Sequence, residues 1–308
     1  MKLVKTAVVF PGQGAQRPGM GQDFCENNVS ARKIFEIASE ALGEDMKELC
    51  FTEHPKLNLT EYTQPAILTT EIAMLAALKD QYGFEAQYFA GHSLGEYAAL
   101  VAAGVIDFKD AVIIVKKRGQ LMQAAVPEGV GAMAALLIDN IEQTRFKEIT
   151  ENAGAEIANF NSAGQVVISG KTEFVKKASG ELQKEYPDMR IVDLPVSAPF
   201  HSSLMRVIED EFKNFLGKFS FNAENSSNVL SNFKGDFHKP DQFIDNIVRQ
   251  ISGSVQWIQN MRVLKGVAEV IYEVGPNKVL SKFFSTIDVN VPAIINERSA
   301  KKTFEVET

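Results

Sequence analysis

Apolar positions along this chain fall into two kinds of block. One kind is short and continuous, four to seven residues long; the other is longer and recurs at helical spacing. Residues 6–10 form the first short block, and Pro11-Gly12-Gln13-Gly14 stops it, so a buried strand followed by a glycine-rich loop to Gly21 is predicted. Ser30 is placed to cap a helix ending near Leu42, with Gly43 after it. A second helix is predicted from Gln64-Pro65, with proline in its first turn, to Tyr82-Gly83. Tyr88-Phe89-Ala90 ends the next strand, and Glu96–Ala103 is rich in helix formers up to Gly104. Asp107 reads as the cap of a further helix reaching about Ala125, with Asp110 as a capping-box variant.

The pattern changes at Val126-Pro127-Glu128-Gly129. Residues 131–138 read as a strand, 140–152 as a helix, 155–159 and 165–169 as two strands around a short turn, 172–186 as a helix and 190–196 as a strand. This β-α-β-β-α-β order is the ferredoxin-like pattern and has the size of an inserted subdomain. Beyond it, helices are predicted at 202–216, from Pro240 to Ile251, at 257–264 and at 278–285. Strands are predicted at 229–233, 269–274 and 291–295. Strands alternating with helices call for an α/β fold with a parallel sheet covered on both faces.

The five residues between the strand at 88–90 and the helix at 96–103 carry the first chemical signal. Gly91-His92-Ser93-Leu94-Gly95 reads G-x-S-x-G at a strand-to-helix turn. Such a turn lifts the serine hydroxyl clear of the backbone, and the glycines let strand and helix approach closely; this is a nucleophile elbow. Ser93 is therefore the candidate nucleophile, pointing to acyl chemistry.

Composition narrows the partners. The 308 residues are 45% hydrophobic and 23% charged, as in ordinary globular chains, and the formal net charge of −7 disfavours a nucleic-acid binder. No run approaches a membrane span of about 18 apolar residues, and the N-terminal apolar segment is too short for a signal peptide. Cys25 and Cys50 offer neither a disulfide framework nor zinc spacing, and His54, His92, His201 and His238 show no metal-ligand pairing, so no metal is expected and a reducing cytoplasm fits.

A serine nucleophile needs a base. His201, after a strand and the stiff Ala198-Pro199-Phe200 turn, is the best placed. His92 adjoins Ser93 but points away from it on a tight elbow and reads as a packing residue, while His54 and His238 read as solvated. An acid between Ser93 and His201 is hard to find: Asp188 and Asp193 lack a convincing setting, and a backbone or amide oxygen could orient the histidine instead. The oxyanion donors are assigned to the N–H of Leu94, after the nucleophile, and of Gln13, in the first loop. That loop also invites a dinucleotide reading, but Arg17 stands where the third glycine belongs and no acidic residue ends a second strand. Arg118 reads either as a solvated basic helix end beside Lys116 and Lys117 or as a fork for a substrate carboxylate.

Seven ordered segments now stand together: FPGQGAQ (10–16), GHSLGEYAALVAAG (91–104), KKRGQLMQ (116–123), NFNSAGQVVISG (159–170), PVSAPFHSSLM (195–205), QISGSVQW (250–257) and YEVGPNKVL (272–280). With them the chain closely resembles the malonyl-CoA:acyl carrier protein transacylases, including stand-alone polyketide synthase acyltransferases, over essentially its whole length. The resemblance implies an α/β-hydrolase-like core of residues 1–128 and 197–308, with 129–196 as the ferredoxin-like subdomain. It implies Ser93 as nucleophile, His201 as base, Arg118 as the clamp on the malonyl carboxylate and the Gln250 carbonyl as the group orienting His201. Gln13 and Leu94 carry over as oxyanion donors, and Met122, Asn159 and Asn161 join the substrate-binding set. The implied reaction is ping-pong, from malonyl-CoA through a malonyl-Ser93 ester to the phosphopantetheine thiol of holo-acyl carrier protein or a polyketide carrier domain, without a cofactor. The implied state is a cytoplasmic monomer serving fatty acid or polyketide synthesis. Related carriers are acidic, which makes Lys116 and Lys117 candidate docking charges. Phe200 stands where many members carry serine, and a Phe-His pair resembles the malonyl-selective polyketide type. An esterase or editing acyl hydrolase and a non-catalytic carrier-docking subunit are the competing readings.

Overall fold

The computed structural model describes residues 4–127, 129–196 and 198–305. Strand β1 (Thr6–Phe10) leads through the glycine-rich loop to three helices, α1 (Gln22–Asn27), α2 (Val29–Leu42) and α3 (Met46–Phe51), and then to the long α4 (Thr60–Tyr82). Strand β2 (Tyr88–Gly91) passes through the elbow into α5 (Gly95–Ala102), and α6 (Phe108–Ala124) follows. Next come β3 (Gly131–Leu137), α7 (Phe146–Asn152), β4 (Glu156–Ser162), β5 (Gln165–Lys171), α8 (Thr172–Glu185) and β6 (Arg190–Asp193). The last third holds α9 (Glu209–Leu216), the short hairpin β7 (Leu230–Ser231) and β8 (Asp236–Phe237), α10 (Phe243–Arg249), α11 (Trp257–Val267), β9 (Val270–Val274), α12 (Leu280–Ser285), β10 (Ala293–Ile294) and α13 (Glu297–Phe304).

Two four-stranded sheets organise these elements. The first runs β10-β9-β1-β2 and is parallel throughout. Both its faces are buried, and the alternation of β1 shows how: Val8 and Phe10 enter the large core with α4 and α5, while Ala7 and Val9 pack with Trp257, Leu264, Leu280 and Phe284. A parallel bridge from Phe89 to Val229 brings the β7 segment alongside β2. The second sheet runs β4-β5-β3-β6 and is antiparallel. Its Ala134, Leu136, Val166 and Ile168 pack under α7 and α8 with Val175, Ala178 and Leu182, while Met133, Ala135 and Val167 face the large core. The molecule is thus mixed α/β, built around a parallel sheet.

Several boundaries differ from expectation for local reasons. The first predicted helix is capped by Asn28, whose side chain accepts from the Ala31 N–H; Ser30 lies inside it and donates to Asp80. Helix α4 starts at Thr60, so Pro65 lies in its second turn. Gly119 of α6 sits against this first turn: a Cβ there would come within 2.8 Å of the Thr60 carbonyl oxygen. The helix predicted over 140–152 is a 3-10 turn (Ile141–Gln143) followed by α7, with Asn140 left-handed before it. That predicted over 202–216 splits likewise into a 3-10 segment (Ser203–Ile208) and α9. Asp107 does cap α6, by accepting from Lys109 N–H. Helices α1, α3 and α13 were not foreseen, although Asp45 accepts from two N–H groups at the start of α3. The proposed subdomain edges at Glu128 and Ser197 lie outside the described residues.

Candidate active site

The elbow is shaped by glycines that nothing larger could replace. A Cβ at Gly91 would fall 1.9 Å from the Gly95 carbonyl carbon, and one at Gly95 would fall 2.1 Å from the Phe10 carbonyl oxygen. The first loop is pressed against the same turn, since a Cβ at Gly12 would lie 2.3 Å from the His92 oxygen. Between the glycines Ser93 adopts φ 51°, a left-handed conformation that costs a non-glycine residue of order 1 kcal/mol and must be held by its surroundings. Asn232, carried in by the strand next to β2, supplies that hold. Its Oδ1 accepts from the Ser93 N–H at 2.6 Å, and its Nδ2 donates to the Gly91 carbonyl at 2.7 Å.

His201 meets this serine from the other side. Its Nε2 lies 2.8 Å from Ser93 Oγ, and its Nδ1 lies 2.8 Å from the backbone oxygen of Gln250. A carbonyl only accepts, so the proton sits on Nδ1 and the Nε2 lone pair faces the hydroxyl. His201 is also left-handed, at φ 56°, and its N–H donates to the Ile251 carbonyl. Burial, reinforced by the nearby charge of Arg118, pulls its pKa down to about 3, so the ring is a neutral acceptor at neutral pH. Asp188 and Asp193 are both exposed, and the place of a third, acidic member is taken by the Gln250 carbonyl.

Arg118 is not a solvated helix end. It is 1% exposed, although Lys116 and Lys117 precede it. Its Nη1 donates to Gln64 Oε1 at 2.8 Å, and its Nη2 donates to Gln250 Oε1 at 2.9 Å and to Ser93 Oγ at 3.2 Å. Tyr97 lays its ring 5.4 Å from the guanidinium carbon. Met122 reaches this group through Gln64, whose Nε2 donates to the Met122 sulfur at 3.8 Å. The two lysines are engaged elsewhere: Lys116 pairs with Glu61 and stands 3.3 Å above the Tyr62 ring, and Lys117 pairs with Glu211 at 2.7 Å.

The remaining sequence candidates differ in what their polar groups bond. Among the described residues, neither the Gln13 nor the Leu94 backbone N–H has a protein acceptor, and both belong to segments in contact at the elbow. The Gln13 side chain donates to Thr60. Phe200 is buried in the large core next to His201. Asn161 acts one residue away, holding His92 Nε2 at 2.8 Å and donating to Gln165. Asn159 is buried in β4, bridged to Val255, and makes no described bond to Ser93, His201 or Arg118.

Unlike the solvated residue that its sequence context predicts, His238 is 2% exposed, and its Nε2 lies 2.8 Å from Glu96 Oε1. Its polar flanks (Asp236, Lys239) hid this. Glu96, Gln64 and Asn232 were also missed. For Glu96 the signal was present, as one carboxylate in an otherwise apolar helix directly after the elbow. Among the described residues no group of three or more His, Cys, Asp or Glu is arranged to hold a metal, and no helix is long and apolar enough to cross a membrane.

The comparisons with known proteins agree with this geometry. The family model described as an acyl transferase domain matches residues 7–277. The malonyl CoA-acyl carrier protein transacylase of Staphylococcus aureus is 42% identical, over 94% of both chains. That of Escherichia coli is 41% identical, over 97% of this chain and 98% of its own. The crystal structure of the Clostridium perfringens transacylase superposes with a TM-score of 0.90 at 40% identity, covering 97% of this chain and 96% of that one. A malonyl-transacylase solved in complex with its type II PKS acyl-carrier protein matches with a TM-score of 0.89 at 33% identity, covering 98% of this chain and 99% of that one. With its half-buried Ser93 set against buried His201 and Arg118 on an α/β fold, the chain is an acyltransferase and belongs to the malonyl-CoA:acyl carrier protein transacylase family.

Proposed function

We propose that the chain transfers a malonyl group from malonyl-CoA to the phosphopantetheine thiol of holo-acyl carrier protein, for fatty acid or polyketide synthesis. One observation carries the reading: Ser93 Oγ lies 2.8 Å from the His201 base nitrogen and 3.2 Å from an Arg118 Nη, so the nucleophile, its base and a cation for the acyl carboxylate share one point.

The reaction runs in two halves. Arg118 pairs with the free carboxylate of malonyl-CoA. Ser93 Oγ attacks the thioester carbonyl while its proton passes to His201 Nε2, and the oxyanion is held by the N–H groups of Gln13 and Leu94. The intermediate expels the CoA sulfur, which leaves with the proton from His201, and a malonyl-Ser93 ester remains. In the second half the carrier thiol gives its proton to His201 and attacks the ester. Ser93 then leaves and takes that proton back, so the enzyme is regenerated. The Gln250 carbonyl keeps Nδ1 protonated throughout, and Phe200 and Met122 line the acyl side.

The order β4-β5-β3-β6 with α7 and α8 on one face supports a ferredoxin-like subdomain over 129–196, set into an α/β-hydrolase-like core of 1–128 and 197–308. The proposed substrates and the two buried free thiols, Cys25 and Cys50, support a cytoplasmic protein. The resemblance supports a monomer, which light scattering reads directly.

Intact-protein mass spectrometry tests the function. With malonyl-CoA the chain should gain one malonyl group on Ser93 and lose it to added holo-carrier. Ser93→Ala should gain none. Release of free malonate in place of malonyl-carrier would make the chain a hydrolase.

A further inference from the structure

Among the described residues Arg118 is a buried cation with no carboxylate in hydrogen-bond contact, and the Gln250 amide that it donates to is held in turn by the buried carboxylate of Glu96. Glu96 is fully buried, and three donors converge on it. His238 Nε2 donates to Oε1 at 2.8 Å; the Asn232 backbone N–H at 3.0 Å and Gln250 Nε2 at 2.7 Å donate to Oε2. Asn246 Nδ2 faces His238 Nδ1, which leaves the histidine proton on Nε2, toward Glu96. The Gln250 side chain therefore has no choice of orientation. Its NH2 end faces two acceptors, Glu96 Oε2 and the Ser93 carbonyl, and its Oε1 must face Arg118 Nη2. A flipped amide would set oxygen against carboxylate on one side and N–H against guanidinium on the other.

Building on the malonyl-transfer reading, we propose that Glu96 is a positioning residue for acyl-charge specificity. It locks the Gln250 amide toward Arg118 and balances the guanidinium through that amide, so the cation is stabilised without being occupied. A carboxylate touching Arg118 directly would compete with the malonyl carboxylate; one held back by an amide does not. The Glu96 charge also counters the burial that draws the Arg118 pKa down. Asn232, which holds the Ser93 N–H, donates to the same carboxylate, so a single group aligns both the elbow and the clamp.

The test moves the charge by one residue. Ser93 acylation is followed by mass spectrometry with malonyl-CoA and with acetyl-CoA as separate probes, on purified full-length chains whose folding is checked by circular dichroism. Glu96→Gln leaves donors facing a donor and frees the Gln250 amide. It should lower kcat/KM for malonyl-CoA about tenfold or more relative to acetyl-CoA, mainly through KM. The double variant E96Q/Q250E keeps one carboxylate and one amide in the network but puts the carboxylate on Arg118. It should raise KM for malonyl-CoA further and lower the malonyl-to-acetyl ratio of kcat/KM below that of the single variant. If Glu96 only supports the fold, both substrates fall together in the single variant, and the double variant restores the parental malonyl preference; either result overturns the proposal. If Glu96→Gln does not fold, the double variant alone decides. Should the parent chain form no malonyl-Ser93, the functional reading fails instead, and acetylation still reports on the site separately.

Discussion

Ser93 and His201 meet at 2.8 Å from positions 108 residues apart, and both hold left-handed backbones, φ 51° and φ 56°. Neither is a glycine, so each conformation is maintained by its neighbours: Asn232 on the Ser93 N–H and the Ile251 carbonyl on the His201 N–H. The two reacting atoms are thus fixed by strained turns built into a rigid sheet and core.

The elbow predicts its own intolerance. Gly95→Ala would push a Cβ to within 2.1 Å of backbone, and strand and helix cannot part without opening the core. A loss of about 3 kcal/mol or more is expected in urea denaturation. Gly180→Ala, inside α8 with open space around it and no positive φ, should instead add roughly 0.5–1 kcal/mol. Equal effects at the two sites would refute this account of the elbow.

The low pKa of His201 sets the acid limb. Its folded-state pKa of about 3 lies below the ordinary 6.5, so the neutral ring persists on acidification. The kcat/KM for Ser93 acylation should stay flat through pH 6.5 and down toward pH 5. Because burial comes first and the Arg118 charge second among the causes, Arg118→Ala should move the limb upward only in part. The linked stability has the matching sign: the unfolded chain takes up this proton below about pH 6.5 and the folded chain does not, so stability falls from there toward pH 3. A parental limb already centred at 6.5 would contradict the geometry.

Arg118→Ala also separates substrates. It removes a charge-assisted fork and should cost malonyl-CoA about a hundredfold or more in kcat/KM while sparing acetyl-CoA. An equal fall in both would make Arg118 a packing residue.

How much of this was legible depends on range. The elbow, the strands at 6–10 and 88–90 and the β-α-β-β-α-β order follow from local periodicity and glycine spacing, and the structure carries them. Ser93, His201 and Arg118 stood out through motif context and resemblance. Gln64, Asn232 and His238 did not, because their roles depend on long-range contacts: Gln64 meets Arg118 across 54 residues, and Asn232 meets Ser93 across 139. A buried polar side chain looks like a surface one until its partner is known. Helix α4 misled for a related reason. Thr63–Leu75 is buried without interruption, so no polar face marks where it begins.

Phe200 supplies a selectivity prediction. Its ring is buried next to His201, and on the proposed malonyl-transfer reading it would crowd an α-methyl group. Phe200→Ser should raise methylmalonyl relative to malonyl labelling of Ser93 by about tenfold, as read by mass spectrometry with the two CoA esters in competition. An unchanged ratio would place the ring away from the acyl group.

Glu71 gives a stability prediction remote from the hydroxyl. Its carboxyl is fully buried in α4, and neither oxygen has a described partner. Nearby, the Glu273 carboxylate is satisfied by the N–H groups of Val279, Leu280 and Ser281 at the start of α12. Burial first, and the Glu273 charge second, hold the Glu71 pKa well above 4.5, so the folded chain keeps this proton to higher pH than the unfolded chain does. The unfolded chain releases that proton above about pH 4.5, so the folded state binds more protons and stability falls as pH rises toward the folded pKa. Glu71→Gln fixes the neutral state. Its unfolding free energy, measured in urea at pH 5, 7 and 9, should decline less steeply than that of the parent chain and exceed it at pH 9. Parallel pH profiles would mean that Glu71 is ionised in the fold.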